Sequence, residues 1–173
     1  MIYLKTIARV IIADTMGKEY IRNREEEDGV KTFPMGIELR RLENPGAACG
    51  IGKEDAEAVT KCSAAVLAGC GLLLAWEAIT KKKRTVRGLG LSLLVGGGLC
   101  NVQDRLAKGT VTDYIRLTRF PIKYVRELVF NLSDFCIFIG AILFAVGGKF
   151  RIKPEKALLI SENEKKGAVE EKK

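Results

Sequence analysis

From residue 58 to residue 79 the chain reads AVTKCSAAVLAGCGLLLAWEAI, with charge only at Lys61 and Glu77, each near an end. A helix needs roughly 20 apolar residues to cross a bilayer, and this run supplies them. Three further apolar runs accompany it. Residues 1–13 (MIYLKTIARVIIA) are apolar apart from Lys5 and Arg9, which share one helical face. Residues 88–103 (GLGLSLLVGGGLCNVQ) carry no charge, and residues 128–148 (LVFNLSDFCIFIGAILFAVGG) carry only Asp134. The pattern predicts an all-α membrane protein with four transmembrane helices, at about 2–20, 58–79, 88–103 and 128–148. A cleavable signal peptide fits the first run poorly, because a charged segment follows with no small-residue cleavage site. Residues 21–57 are polar and rich in turn formers, and VKTFPMGIELRRLEN alternates loosely. They predict a small β-containing loop on the outer side.

Charge sets the orientation. The formal net charge is +8, but the basic residues cluster beside the apolar runs, at Lys81–Arg84 with Arg87 and again in KFRIKPEK at 149–156. Such loops mark the cytoplasmic side, which puts both termini inside. Aromatic residues are 7% and do not interleave with basic ones, so nucleic acid is not an expected partner; anionic lipid is. There is no histidine, which removes Ser-His-Asp and Cys-His chemistry and His-ligated zinc. The five cysteines (Cys49, Cys62, Cys70, Cys100, Cys136) form no CxxC pair and read as small packing residues, with no metal and no cofactor expected. The glycines of residues 95–98 lack the Lys-Ser/Thr that a phosphate loop requires. In domain terms, residues 1–150 form one four-helix membrane domain and 151–173 a charged, disordered cytoplasmic tail.

With both termini inside, Asp14, Asn44, Asn101, Asp104, Asp113 and Asn131 all fall on the outer side, and Asp134 lies just inside the outer end of span four. Carboxylates at the mouth of a membrane segment are expensive to hold there and mark a functional site. Two that meet at the end of a bundle suit acid/base chemistry on water. Asp14 and Lys18, spaced i,i+4, are expected to pair, and Arg105 is expected to neutralise Asp104. Asn131-Leu132-Ser133 matches a glycosylation acceptor, but at a membrane edge.

Four separated pieces resemble the lipoprotein signal peptidase (type II signal peptidase) family. Asp14 with Lys18 is like the family's D-x-x-x-K, and Asn44-Pro45-Gly46-Ala47-Ala48 is like N-x-G-A-A. Gly98 to Arg105 is like G-x-x-N-x-x-D-R, followed by Gly109 and Val111-Thr112-Asp113-Tyr114 like G-x-V-x-D-F. Phe130-Asn131-Leu132-Ser133-Asp134 is like F-N-x-A-D. The resemblance implies an aspartyl endopeptidase of the bacterial inner membrane. It would remove signal peptides from diacylglyceryl-modified prolipoproteins, acting as a monomer without a cofactor. It implies a catalytic dyad of Asp113 and Asp134, supported by Asp14, Lys18, Asn44, Gly46, Asn101, Asp104, Arg105 and Asn131. The chain departs from the pattern at Cys49, where phenylalanine is usual, at Cys100 for glycine, Ser133 for alanine and Tyr114 for phenylalanine. These bear on pocket shape more than on chemistry.

Two other readings compete. An inactive paralogue would bind lipidated peptides without cutting them, against which the intact Asp113/Asp134 pair stands. A small-solute transporter would favour mid-membrane charges and internal repeats, and the chain has its polar residues collected at one face and no repeat.

Overall fold

A computed structural model describes residues 1–23, 30–47, 52–80 and 85–147. Its helices are α1 (Ile2–Arg22), α2 (Ala56–Thr80), α3 (Val86–Lys108), a short α4 (Lys123–Glu127) and α5 (Leu132–Val146). Strands β1 (Lys31–Phe33), β2 (Ile37–Asn44), β3 (Val111–Leu117) and β4 (Val129–Phe130) form one antiparallel sheet in the order β1-β2-β3-β4. Cys49, the acidic run at 25–28, the basic run at 81–84 and the tail 151–173 lie outside the described residues.

Helix α3 is the hub, packing on α1, α2 and α5. Its glycines permit this. A β-carbon on Gly90 would lie 2.7 Å from the Gly140 carbonyl oxygen, and one on Gly140 would lie 2.8 Å from that of Gly90. The backbones of α3 and α5 therefore touch, as small residues allow between membrane helices. Gly109, at φ 78°, ends α3 in the left-handed conformation and turns the chain directly into β3. In α2, by contrast, Gly69 and Gly71 have open space above them. Small residues suit close helix contact in lipid, but these two glycines point away from the hub and make none. Gly140→Val is accordingly expected to lower the thermal unfolding midpoint in detergent, by an overpacking cost of about 1–3 kcal/mol or more. Gly69→Ala is the control and should change stability by no more than about 1 kcal/mol.

The bundle is inside-out relative to a soluble domain. Leu4, Ile12, Val66, Leu72, Trp76, Ile79, Phe138 and Ile142 face outward, while Asp14, Lys18, Asn101, Arg105, Asp113 and Asn131 are buried. Among the described residues, α2 alone is long and apolar enough to cross a membrane by length and composition; α5 is a shorter apolar helix. Helix length and composition thus do not establish the four expected spans. The reason is local: α1 carries Lys5, Arg9, Asp14 and Lys18, α3 ends in Asn101, Asp104, Arg105 and Lys108, and α5 begins only at Leu132 rather than at 128. The sheet also differs from expectation. Two of its strands come from residues 111–130, which read as plain loop and the start of span four, so the sheet joins two separate connections. Of the described cysteines, Cys62 is exposed rather than packed, and Cys100 is buried.

Candidate active site

Helix α1 presents one buried stripe, Val10, Asp14, Lys18 and Ile21, at i,i+4 and i,i+3 steps. Lys18 lies deep in it, 3% exposed, and its ammonium has three acceptors: Asp14 Oδ2 at 2.7 Å, Asp104 Oδ2 at 3.0 Å and Asn101 Oδ1 at 3.2 Å. The ammonium thus sits between two carboxylates and an amide oxygen. Asp14, fully buried, also accepts from the Ser133 backbone N–H at 3.1 Å and from the Tyr114 hydroxyl at 3.4 Å. Asp104 is held on its other side by Arg22 at 3.0 Å.

Three asparagines carry this order to Asp113 on β3 and Asp134 on α5. Each has its amide orientation fixed by a partner that only donates. Lys18 claims Asn101 Oδ1, so Asn101 Nδ2 donates to Asp134 Oδ1 at 2.9 Å. The Asp134 backbone N–H donates to Asn131 Oδ1 at 2.9 Å, so Asn131 Nδ2 turns to Asp113 Oδ1 at 2.7 Å. The Gly46 N–H donates to Asn44 Oδ1 at 3.0 Å, so Asn44 Nδ2 reaches Asp113 Oδ2 at 2.9 Å. The remaining oxygen, Asp134 Oδ2, accepts from the Asn131 backbone N–H at 3.0 Å. Every oxygen of the two carboxylates therefore has a donor. Asn131 touches both, and with Asp134 it also forms the capping box that starts α5.

These donors favour ionised carboxylates, whereas burial and mutual repulsion oppose ionisation. For Asp113 the second pair wins. Burial first, and then the charge of Asp134, push its carboxyl up to about 7, against the hydrogen bonds from Asn44 and Asn131 and the charge of Lys18. The site is thus built to retain a proton near neutrality, the property required of an acid/base pair.

Sequence reasoning named most of this set, and the structure brings Asp14, Lys18, Asn44, Gly46, Asn101, Asp104, Asp113, Asn131 and Asp134 together. Arg105 is a correction. It does not pair with Asp104, since adjacent residues on a helix do not face each other. Its guanidinium donates instead to the Asn101 carbonyl at 3.2 Å and to the Gly46 carbonyl at 2.8 Å, tying the Asn-Pro-Gly turn to α3. The buried Asn131 side chain, spent on the Asp113 carboxylate and the Asp134 backbone N–H, does not suit glycosylation. Sequence reading missed Arg22, whose i,i+4 spacing from Lys18 was a usable signal. It also missed Thr112, whose Oγ1 accepts from Arg22 at 3.3 Å. Among the described residues no three His, Cys, Asp or Glu side chains are grouped to hold a metal.

Fold and site together define a helical membrane protein with a carboxylate pair buried at one end of its bundle. The fold is shared with two solved bacterial membrane enzymes, both determined by the in meso method. One, at 2.3 Å resolution, has a TM-score of 0.69 and 22% identity, covering 88% of this chain and 94% of that one. The other, at 1.9 Å, has a TM-score of 0.65 and 24% identity, covering 83% and 90%. Residues 6–149 match the signal peptidase (SPase) II family. The lipoprotein signal peptidase of Chlorobaculum parvum is 33% identical over 150 residues, 82% of this chain and 90% of that protein. That of Pelotomaculum thermopropionicum is 31% identical over 140 residues, 80% and 86% of the two. The chain belongs to the signal peptidase II family.

Proposed function

We propose that this chain is an intramembrane aspartyl endopeptidase that removes the signal peptide from diacylglyceryl-modified prolipoproteins, cutting before the lipidated cysteine. Family membership supports the substrate class. The observation that carries the mechanism is the bridging of Asp113 and Asp134 by Asn131. Two carboxylates held together in a buried site share one proton. The ionised member takes a proton from water as its oxygen bonds to the scissile carbonyl carbon, and the protonated member hydrogen-bonds the carbonyl oxygen. Breakdown returns a proton to the leaving nitrogen as the C–N bond breaks. Asn44, Asn101 and Asn131 orient the carboxylates, Gly46 and Arg105 fix the Asn44 turn, and Lys18 with Asp14 and Asp104 anchors the shell.

The same reading takes α1, α2, α3 and α5 as four spans in the bacterial inner membrane, in contact with lipid through their outward apolar faces. Both termini are cytoplasmic and the carboxylates lie near the outer face, with the monomer sufficient. The burial of charge inside an apolar exterior favours this arrangement. Arg87, opening α3 at the end away from the carboxylates, follows the sequence run Lys81–Arg84, and this basic cluster supports taking that end as the inner one.

The test is cleavage. Purified protein in lipid, given a diacylglyceryl-modified prolipoprotein, should release the signal peptide immediately before the modified cysteine. Activity should decline as pH rises through about 7, because the proton held by Asp113 is lost there. Stability follows the same sign. The carboxyl's ordinary value is 3.8 and folding raises it, so ionisation opposes folding increasingly as pH climbs from near 4 toward 7. Tight binding without any cut would instead make the chain an inactive lipopeptide-binding paralogue. Solute uptake by vesicles carrying the protein would make it a transporter.

A further inference from the structure

Strand β2 reaches Asn44 only after an irregularity. Leu39 pairs with Ile115 and Leu42 with Asp113, so Arg40 and Arg41 stand opposite the single residue Tyr114. Such a bulge breaks the ladder, and the register beyond it is not dictated by the pairs before it. The register there matters. A slip of one residue would turn Asn44 to the opposite face of the sheet and remove its amide from Asp113.

Beyond the bulge sits Glu43, paired in register with Thr112 between the pairs Leu42 with Asp113 and Asn44 with Val111, so that Asn44 and Asp113 lie diagonally across it. Its carboxylate is the most heavily bonded group on that part of the sheet. Oε2 accepts from Thr110 Oγ1 at 2.8 Å and from Lys108 Nζ at 3.0 Å, and Oε1 accepts from Arg41 Nε at 3.2 Å and Thr112 Oγ1 at 3.2 Å. These donors come from the end of α3, the connection into β3, β3 itself and the bulge. Thr112 Oγ1 in turn accepts from Lys108 and from Arg22, which grips Asp104. Burial opposes the Glu43 charge, but the bonds from Lys108 and Thr110 outweigh it and draw the carboxyl down to about 2.

We propose that Glu43 is a positioning residue for the peptidase reaction. It pins β2 against β3 just past the bulge and so sets how Asn44 meets Asp113. The inference rests on the carboxylate-pair mechanism given above.

The experiment is the pH profile of cleavage for wild type, Glu43→Gln and Thr110→Val, the last a charge-neutral loss of one donor to Glu43. A loosened Asn44 stabilises the ionised form of Asp113 less, so the alkaline limb should move to higher pH, by roughly half a unit in Glu43→Gln and less in Thr110→Val. The kcat should fall roughly 5-fold or more in Glu43→Gln with KM within about twofold. The charged groups acting on Asp113 are Asp134 from α5 and Lys18 from α1, and Arg105 of α3 lies within their field. Those on Glu43 are Lys108 and Arg41. Simple loss of the Glu43 charge, acting through space, would move the limb to lower pH, opposite to the positioning effect. In an Asn44→Ala background Glu43→Gln should add no further shift. An unmoved or lowered limb in both variants, with only a lower unfolding temperature, overturns the proposal and leaves Glu43 a fold-stabilising residue. If Glu43→Gln does not fold, the limb of Thr110→Val decides. Asp113→Asn and Asp134→Asn run alongside. Absence of cleavage by wild type, or undiminished cleavage by these two, overturns the carboxylate-pair reading and this inference with it. An unmoved limb beside an active wild type and two dead variants overturns this inference alone.

Discussion

Asp113→Asn and Asp134→Asn are each expected to reduce kcat by about 10³-fold or more, the scale seen when one member of a catalytic unit is removed. The substitutions are nearly isosteric, so the loss is chemical. An amide neither takes the proton of the attacking water nor gives one to the leaving nitrogen. The structure also assigns each variant a small cost in stability, which separates it from the other. At 113 the two donors Asn44 Nδ2 and Asn131 Nδ2 face the two carboxylate oxygens, and an amide offers only one acceptor. One donor is stranded, at about 1–3 kcal/mol, partly offset by relief of repulsion from Asp134. At 134 an amide placed to serve Asn101 presents its NH₂ to the Asn131 backbone N–H and breaks the capping box of α5, at about 1 kcal/mol. Thermal unfolding in detergent measures these costs, and cleavage by the folded fraction measures the chemistry. The double variant should be no slower than either single one, because the pair acts as a unit. Cleavage by Asp113→Asn within about tenfold of wild type would remove Asp113 from the reaction.

Much of this site was readable from sequence, Asp134 and the Asp14/Lys18 pair because they stand out against apolar runs, and Asn44 and Asp113, which lie in polar stretches, only through the motifs that resemble a known family. Asp134 is the only charge in 128–148, and Asp14 and Lys18 recur at helical spacing. What was not readable depended on the third dimension. The Asp104-Arg105 neighbours suggested a pair, but helix geometry points them apart and gives Asp104 to Lys18 and Arg22 instead. Strand β3 was hidden because VTDYIRL is only seven residues long and follows a helix with just Gly109 and Thr110 between them; its β-branched residues were the available cue. Glu43 read as one charge among many in RRLEN. Its significance comes from Lys108, Thr110 and Thr112, which are distant in sequence and adjacent only across the sheet. Four spans were inferred from apolar runs, yet α1 and α3 carry several of the site's charges within them and α5, which carries Asp134, is short. Among the described residues, α2 alone is then long and apolar enough to cross a membrane by length and composition.

Lys18→Met is the substitution with the largest expected effect on stability. It takes the ammonium from three acceptors at once: Asp14, which is fully buried and has no other ion-pair partner among the described residues, Asp104, which keeps Arg22, and Asn101 Oδ1, which keeps Asn131 Nδ2. Removing one partner of a buried ion pair typically costs about 3–5 kcal/mol, since the other charge stays buried without compensation. Arginine is not a substitute, because its flat fork does not match acceptors arranged for an ammonium. The effect also reaches the chemistry. Without Lys18, Asn101 Oδ1 keeps only the bond from Asn131 Nδ2 at 3.2 Å and loses the charged donor that fixes it as the acceptor end, so Asn101 Nδ2 is held less firmly on Asp134. The double variant Asp14→Asn/Lys18→Met separates the two consequences. It removes the stranded charge of Asp14, keeps an acceptor for the Ser133 N–H, and should recover part of the lost unfolding temperature. Activity should not recover with it, because Asn101 still lacks its anchor. Return of both together would make Lys18 a stabiliser of the fold alone, and return of stability without cleavage would place it in the orientation of Asp134.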